Sequence, residues 1–440
     1  MTARHKLWVT LLLIFLLAVG VRLLVWQQNR AAIEQVMTQL TLTYKADARV
    51  LARGDWRLFV RGQNPPSDAN VLAHPPGYPL LAALLFAFNG ESDAALRLWQ
   101  LLCDAASVIF LFLIARELLS QRVAVMAGVM AALSPQLAYN SLLLLPDSLA
   151  VLPILMSVYL FIRAAKEERG WIKLLAAGAL LGLSCWLRPN ALALPLFMAA
   201  LTPFVFRRGQ RWRAAVALAG AGLLLIAPLT LRNRIVFRSF VPVSLGSGVT
   251  MLEGIADYDR KGELGLPQTD MDVLQQEARE SGRADYAGSL YNPDGIERER
   301  ARRARGLAVI RAHPLWFASV MARRAASMLR MERVPVIAGS PFQPASGFPL
   351  KAVQKLFITA LMLPLFLIGV GLLFKERNLS ALFILLVVPV YYLCVQSLLH
   401  TEYRYLLALQ YFLLIFVAVT LDRAVKLIAH AKAQRLKESN

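Results

Sequence analysis

The sequence contains little charge for its length. Only 17% of its 440 residues are Asp, Glu, Lys or Arg, 57% are hydrophobic, and the mean hydropathy is +0.52. Soluble domains carry about 25% charged and about 45–50% apolar residues, so an ordinary soluble enzyme is excluded. Disorder is excluded as well, because it needs low hydrophobicity. The 22 Pro and 25 Gly are too few for a collagen-like or low-complexity chain.

Cysteine and the common catalytic motifs are also scarce. The three cysteines, Cys103, Cys185 and Cys394, lie in apolar runs and have neither zinc-site spacing nor the pattern of a disulfide framework. The sequence lacks a P-loop, a G-x-G-x-x-G after a strand, and H-E-x-x-H. Nucleotide-driven transport and zinc proteolysis therefore have no support.

What the sequence does contain is a series of apolar runs near the length of a membrane-spanning helix, about 20 residues. We predict ten spans, at residues 7–26, 96–116, 123–140, 148–163, 172–187, 190–206, 213–231, 352–374, 379–398 and 404–422. The first run is interpreted as a retained anchor, and a cleaved signal peptide is the alternative. The stretch 78–88 is too short to span, so we predict an interfacial or re-entrant helix there.

The net charge of +20 would indicate nucleic-acid binding in a soluble protein. In a membrane protein, basic residues concentrate in cytoplasmic loops and contact anionic headgroups. With the amino terminus inside, every predicted inner connection is net basic: 116–122, 163–173, 207–213, 375–378 and the tail 423–440. This distribution predicts a multi-pass membrane protein with both termini cytoplasmic, contacts with membrane lipids and no nucleic-acid partner.

The chain is predicted to have three parts. Residues 1–231 form a transmembrane module with a first outer loop at 27–77, residues 232–350 an outer domain, and residues 351–440 a second transmembrane module with a cytoplasmic tail. The outer domain begins with a β-like stretch at 235–245. It ends with an amphipathic helix at 313–331, which suits the outer membrane surface. The predicted fold class is all-α polytopic, with a small mixed α/β or irregular outer domain.

Four groups of polar residues are predicted to converge at the outer ends of the spans. The first contains Tyr44, Asp47 and the segment 74–79, HPPGYP, with His74 and Tyr78. A carboxylate near the membrane surface can act as a general base or bind a metal, and a solvated loop acid is the alternative for Asp47. The two prolines restrict the backbone, which indicates an ordered feature.

The second and third groups follow later outer turns. Tyr139 and Asp147 form the second, and for Asp147 a helix cap alone and a cap that also serves the site stay equally open. Arg188 marks the third. An arginine at a helix end extends to headgroups or holds a lipid phosphate through two hydrogen bonds.

The fourth group lies on both sides of the outer domain. It contains Arg232, Asn233, Arg234, His400, Glu402, Arg404 and Tyr405. Outward-facing arginines oppose the positive-inside tendency, and arginine suits bidentate phosphate recognition. The arginines therefore predict an anionic, membrane-embedded ligand on the outer side.

In this order the motifs resemble those of the GT-C membrane glycosyltransferases. The resemblance is strongest to the bacterial branch with protein O-mannosyltransferase-like enzymes, the lipid A aminoarabinose transferase and the rhizobial core galacturonosyltransferases. It extends over about residues 7–421 and is carried by Asp47, 51–54, 75–79, Ser134-Pro135, Asp147, 186–189, 228–233, 240–242, 246–254 and Arg404-Tyr405. Leu229 stands where the family has Trp, and Asp147 where Glu is more frequent.

The resemblance implies an inverting transferase on the outer side of the bacterial inner membrane. Its partners would be a polyprenyl-phosphate sugar donor and a lipid, glycan or protein acceptor. Asp47 would activate the acceptor hydroxyl, and Arg188, Arg232 or Arg404 would stabilise the departing phosphate. The residues implied to bind substrate are Tyr44, His74, Tyr78, Tyr139, Asp147, Asn233, Arg234, His400, Glu402 and Tyr405. The resemblance identifies no certain cofactor, and a divalent metal is left open.

Two alternatives use the same outer arginines without bond chemistry. One is a carrier or flippase for lipid-linked sugars, and the other is a non-catalytic assembly subunit. A carrier needs a polar path through the membrane. We expect Arg22 to be the one clear intramembrane charge, which disfavours transport.

Overall fold

The structure is a computed structural model that describes residues 2–36, 38–61, 68–168, 170–259, 261–331 and 352–438. The boundary predicted at 350–351 lies outside these ranges. In chain order, the α-helices are α1 Ala3–Gln35, α2 Thr38–Ala52, α3 Trp56–Arg61, α4 Gly77–Asn89, α5 Asp93–Leu118, α6 Gln121–Leu133, α7 Pro135–Asn140, α8 Val151–Lys166, α9 Trp171–Leu187, α10 Leu194–Ala200, α11 Thr202–Val205, α12 Arg211–Phe237, α13 Ser247–Ala256, α14 Asp270–Ser281, α15 Gly295–Ala312, α16 Pro314–Met328, α17 Thr359–Lys375, α18 Leu379–Gln396 and α19 Leu407–Glu438.

Short 3-10 helices complete the secondary structure, at Ala69–Leu72, Pro189–Ala191, Ala284–Ala287 and Tyr403–Leu406. No strand occurs within the described ranges. The β-like stretch predicted at 235–245 is therefore wrong. Its first residues continue α12, and Val241 and Leu245 then pack with Phe237 and Leu72 instead of pairing with another strand.

Within the described ranges, four helices are long and apolar enough to cross a membrane by length and composition. They are α1, α5, α12 and α18. Shorter apolar helices lie at Gln121–Leu133, Trp171–Leu187, Pro189–Val205 and Thr359–Lys375, and α4 is the helix expected near 78–88. The count of ten spans and the sides of the two termini remain predictions.

Helices α9 and α12 pack unusually close together because glycines line their contact. A Cβ atom at Gly178 would overlap the carbonyl oxygen of Leu218, and one at Gly182 would press on the carbonyl oxygen of Gly222. Small residues at such contacts let helix backbones approach in a membrane. This packing fixes the outer end of α9, where Arg188 follows as the C-cap residue.

A buried ion pair joins three helices inside the bundle. The Arg22 side chain of α1 donates from Nε to Oδ2 of Asp104 in α5 at 2.6 Å, and the Tyr411 hydroxyl of α19 donates to Oδ1 of Asp104 at 2.8 Å. Arg22 and Asp104 are 0% and 2% exposed. The expectation that Arg22 is the one clear intramembrane charge is wrong, because Asp104 neutralises it from the facing helix.

Candidate functional site

Helix α2, in the segment predicted as the first outer loop, is fixed at one end of the bundle. Lys45 of α2 forms an ion pair with Asp93 at 2.7 Å, and Arg49 forms one with Glu91 at 2.6 Å. Hydrogen bonds from Arg49 lower the pKa of Glu91 to about 2. Since Glu91 and Asp93 lie at the turn between α4 and α5, these contacts set the position of α2.

An aromatic cluster connects α2 to the segment 74–79. The Tyr44 ring centroid lies 5.1 Å from that of His74 and 5.1 Å from that of Tyr78. The Tyr78 hydroxyl donates to Oε1 of Gln100 at 2.6 Å. A Cβ atom at Gly77 would overlap the backbone of Trp186, so glycine permits the close approach of this segment to α9.

Asp47 lies on α2 one turn beyond Tyr44. Its side chain is exposed, and it makes no hydrogen bond or ion pair with the described residues. Surrounding protein nevertheless removes part of its hydration, which raises the pKa of Asp47 to about 6. An accessible carboxylate with this pKa is mostly ionised at neutral pH and is a stronger base than an ordinary aspartate.

The loop 141–150 presents Asp147 to the site. Arg97 and Gln100 of α5 donate to the carbonyl oxygens of Leu142 and Leu143, which hold the loop against the helix. The helix-cap interpretation of Asp147 is wrong, because α8 begins after Ala150 and has no side-chain cap. Asp147 is 6% exposed, and an ionised carboxylate at that depth needs a charged partner.

Two arginines supply that charge. Arg188 donates from Nη2 to Oδ2 of Asp147 at 2.6 Å, and Nη1 of Arg404 lies 3.6 Å from the same oxygen. Arg404 also donates from Nε and Nη2 to the two carboxylate oxygens of Glu402, at 2.7 Å each. The Cζ atoms of Arg188 and Arg404 lie 4.9 Å and 5.0 Å from the centroid of the Tyr405 ring. We call Asp147, Arg188, Arg404 and Tyr405 the arginine pair cluster.

Several buried polar atoms in and beside this cluster have no hydrogen-bond partner in the part of the chain that the structure describes. They are the hydroxyl oxygens of Tyr44 and Ser148, Oδ1 of Asp147, Nε of Arg188 and Nη1 of Arg404. A small pocket lies between Asp147, Arg188, Arg404 and Tyr405. A buried donor or acceptor left unpaired costs about 1–3 kcal/mol.

The charges of the arginine pair cluster act on neighbouring groups. Burial and the nearby charges of Arg188 and Arg404 lower the pKa of His74 to about 3, so its imidazole is neutral at physiological pH. Burial raises the pKa of Tyr44 to about 12, which keeps its hydroxyl protonated. Burial opposes ionisation of Glu402, but the hydrogen bonds and charge of Arg404 outweigh it and lower the pKa of Glu402.

The structure does not bring all predicted residues into this cluster. Arg232 donates to Oδ1 of Asn233 at 2.8 Å, and Asn233 donates to the carbonyl oxygen of Val241 at 2.7 Å. Arg234 is exposed and donates to the carbonyl oxygen of Arg238. Within the described ranges no contact joins these side chains to the arginine pair cluster.

The remaining predicted residues border the site. Tyr139 is buried, with 1% of its surface exposed. His400 contacts Asp257 at 2.9 Å, and this hydrogen bond raises the pKa of His400. Sequence reasoning missed Ser148, Arg97 and Gln100, because their roles depend on contacts that no local pattern signals.

A metal site is not formed by the part of the chain that the structure describes. These residues contain no group of three or more His, Cys, Asp or Glu side chains placed to hold a metal ion. The carboxylate of Asp147 is already committed to Arg188. We therefore derive no step through a metal ion.

Comparison with solved structures shows the fold. The apo oligosaccharyltransferase of Archaeoglobus fulgidus is 14% identical with a TM-score of 0.54, covering 97% of this chain and 51% of that chain. The archaeal oligosaccharyltransferase AglB from Archaeoglobus fulgidus, in complex with an inhibitory peptide and a dolichol-phosphate, is 15% identical with a TM-score of 0.53, covering 99% and 52%. The chain thus spans about half the length of these proteins.

ArnT from Cupriavidus metallidurans bound to undecaprenyl phosphate is a further match. It is 17% identical over 86% of this chain and 72% of that chain, with a TM-score of 0.37, which carries no weight in the argument. No curated protein matches the chain. The chain has the fold of the GT-C membrane glycosyltransferases and is a multi-pass membrane protein.

Sequence comparison gives a more particular result for one segment. Residues 73–231 match the profile of the dolichyl-phosphate-mannose-protein mannosyltransferase family. This segment is less than half of the chain, and it contains His74, Asp147 and Arg188. The GT-C resemblance predicted from the motifs is confirmed.

Proposed function

We propose that the protein transfers a sugar from a polyprenyl-phosphate-linked donor to a hydroxyl group of a lipid, glycan or protein acceptor at the outer membrane face. The observation that carries this proposal is the arginine pair cluster. Two buried guanidinium groups share Asp147 and the Tyr405 ring, and each retains an unpaired N–H donor. Helix α2, which bears Asp47, lies beside this cluster. The charges of Arg188, Asp147, Arg404 and Asp47 all influence the pKa of Tyr44, which is also on α2.

The arginine pair cluster suits the phosphate of the donor. Nε of Arg188 and Nη1 of Arg404 have no hydrogen-bond partner, and guanidinium N–H groups bind phosphate oxygens strongly. Asp147 and Glu402 balance the two positive charges in the absence of ligand and hold both guanidinium groups in place. Negative charge that develops on the phosphate during transfer would then meet donors that are already oriented.

Asp47 is suited to activate the hydroxyl group of the acceptor. Its accessible carboxylate takes the proton of the acceptor hydroxyl as the oxygen forms a bond to the anomeric carbon of the sugar. The bond from that carbon to the phosphate oxygen breaks, and its electron pair remains on the lipid phosphate. Attack opposite to the leaving phosphate inverts the anomeric configuration. The pKa of about 6 fits a base that is ionised near neutral pH.

The comparisons support the donor class. The matched family profile is named for dolichyl-phosphate-mannose, and one of the fold neighbours was solved with a dolichol-phosphate. Both are polyprenyl-type lipid phosphates. We further propose that the protein resides in a bacterial inner membrane with both termini in the cytoplasm and the site facing outward.

The experiment uses the purified full chain in nanodiscs with a panel of undecaprenyl-phosphate-linked hexoses and an envelope lipid extract as the source of acceptors. Release of undecaprenyl phosphate is measured by mass spectrometry. We expect release by the wild type and its loss in Asp47→Asn. Asp55→Asn is the matched control, because Asp55 is an exposed acid just beyond α2 and should leave release unchanged.

Two other outcomes are informative. Movement of the donor between leaflets without release would support the carrier alternative. Binding without release or movement would support an assembly subunit. Near wild-type release by Asp47→Asn would remove Asp47 from the catalytic role, even if the transferase activity itself is confirmed.

A further inference from the structure

A second polar cleft lies away from the arginine pair cluster, on the outer segment. Its volume is about 430 Å³, and it is lined by Tyr258, Arg323, Ala326, Ser327 and Arg330. Two of these five residues are cationic and none is acidic. A volume of this order is in the range of small-ligand sites, roughly 300–1,000 Å³. We call this space the α16 cleft.

The floor of the α16 cleft is held rigidly. The Tyr258 ring lies between two guanidinium groups, with the Cζ atoms of Arg323 and Arg324 each 5.1 Å from its centroid. Arg324 is buried and donates from Nη1 to the carbonyl oxygen of Ser397 at 2.7 Å, and from Nη2 to that of Gly254. Arg324 therefore fixes Tyr258, and Tyr258 supports the guanidinium of Arg323.

Hydrogen-bond donors in the α16 cleft remain available. Arg323 is exposed and donates from Nε and Nη2 to the backbone and side chain of Ser319, and its Nη1 has no hydrogen-bond partner among the described residues. Arg330 is also exposed, and its side chain makes no hydrogen bond or ion pair with the described residues. The α16 cleft thus combines two positive charges with free N–H groups aimed at solvent.

The α16 cleft lies near the end of a helix that is able to span a membrane, and this position favours a lipid ligand over a soluble anion. Ser397, which Arg324 contacts, is the C-cap residue of α18, one of the helices able to span a membrane. Leu315, on the first turn of α16, is 85% exposed. A helix that carries exposed apolar residues as well as exposed arginines is typical of the headgroup region.

We propose that the α16 cleft binds the phosphate of an anionic phospholipid headgroup in the outer leaflet. Arg323 and Arg330 contact the phosphate oxygens, and Tyr258 restricts where the phosphate can lie. The site is independent of the donor phosphate site, because it shares no lining residue with the pocket beside Asp147. It does not depend on the proposed transferase activity.

The test is native mass spectrometry of the full chain in detergent, titrated with dioctanoyl phosphatidylglycerol. We expect the double variant R323A/R330A to bind this lipid about 30-fold more weakly, because each arginine near a lipid phosphate contributes about a fivefold factor. The matched control is R303A/R311A, which removes two exposed arginines of α15 that make no ion pair with the described residues. This control should bind within about twofold of the wild type.

Four results would overturn the proposal. One is unchanged binding by R323A/R330A, and another is an equal loss in R303A/R311A, which would indicate diffuse attraction to a basic surface. The third is complete displacement of the lipid by inorganic phosphate at millimolar concentration, which would indicate a site for a free anion. Dioctanoyl phosphatidylcholine should bind at least tenfold more weakly than phosphatidylglycerol, and equal binding would also contradict the proposal. Thermal unfolding of each variant checks that its fold is intact.

Discussion

Asp147 and Arg188 stand 41 positions apart in the sequence, and their side chains meet at 2.6 Å. The carboxylate comes from the loop before α8 and the guanidinium from the end of α9. Both are almost fully buried, so each needs the other to remain charged. The contact turns two separate outer turns into one rigid unit, and Arg404 approaches that unit from the loop before α19.

Substitution of the three predicted phosphate-binding arginines should have unequal effects. Charge-assisted hydrogen bonds contribute about 1.5–3 kcal/mol each, so Arg188→Ala or Arg404→Ala should weaken donor binding by about 10- to 150-fold. Lysine at either position should restore it only in part, because lysine lacks the planar fork. Arg232→Ala should have the smallest effect, since Arg232 contacts Asn233 instead. Binding is measured by titration with an undecaprenyl-phosphate-linked hexose, and full rescue by lysine at both positions would contradict phosphate binding by the arginine pair cluster.

The activity should depend on the ionisation of Asp47. With a pKa of about 6, kcat/KM should rise about tenfold per pH unit below pH 6 and level off above about pH 7. An unshifted carboxylate would level off about two units lower. The profile is measured over pH 4.5–8.5 with the wild type and Asp55→Asn, and a plateau already reached at pH 5 would show that the pKa of the base is not raised to about 6.

The same shift has a consequence for stability. The pKa of Asp47 is raised from 3.8 to about 6 in the folded chain, so the folded state binds more protons between these values. The free energy of unfolding therefore falls as the pH rises through this window. In Asp47→Asn, the free energy of unfolding should therefore fall less between pH 4 and pH 7 than in the wild type. Thermal unfolding in detergent at the two pH values would detect this difference.

Breaking the buried ion pair should destabilise the bundle. Asp104→Asn leaves the charge of Arg22 uncompensated, so we expect a loss of about 3–5 kcal/mol. Tyr411→Phe keeps the ion pair and removes one hydrogen bond, so the loss should be about 1 kcal/mol. Chemical unfolding in detergent measures both values. Equal losses of unfolding free energy would show that the ion pair stabilises the fold no more than the single hydrogen bond from Tyr411 does.

The glycine contact between α9 and α12 offers a matched pair of variants. Gly178→Val should lower the melting temperature and the yield of folded protein, because any Cβ would overlap the carbonyl oxygen of Leu218. Gly220→Val should be tolerated, since nothing lies within 4 Å of a Cβ at that position. Comparable losses in both variants would mean that the close approach is not needed.

Reporter fusions test the predicted topology. A reporter inserted after Gly265 should lie outside, and one after Lys432 should lie in the cytoplasm. Alkaline phosphatase and green fluorescent protein at the two positions should give opposite signals. Matching signals would show that the count of ten spans is wrong.

The helices and the class of fold were largely predictable from the sequence. Long apolar runs mark helices locally, and the positive-inside tendency predicts which loops share a side of the membrane. That argument predicted Asp147, Arg188 and Arg404 at the same face of the membrane, and the structure brings these three residues together. It could not tell which way each side chain points around its helix axis, and Arg232 contacts Asn233 instead of joining them.

Other features depend on tertiary contacts that no local pattern reveals. Asp104 was overlooked because one acid hardly changes the mean hydropathy of a long apolar run. The branched and aromatic residues near Val241 have high strand propensity, but with no partner strand in the described chain they pack against Phe237. Gln100 donates a hydrogen bond to the carbonyl oxygen of Leu143 in a distant loop. Because every residue has a backbone carbonyl, the sequence does not indicate this partner.

The contact between Asn190 and the backbone of Tyr405 bridges 215 residues of chain. During synthesis, the loops that carry Asp147 and Arg188 emerge from the ribosome long before Arg404 does. A nascent or prematurely terminated chain therefore has half of the guanidinium pair and lacks Glu402 and the ring of Tyr405. The order of translation thus delays assembly of the arginine pair cluster until residues 402–405 have been made.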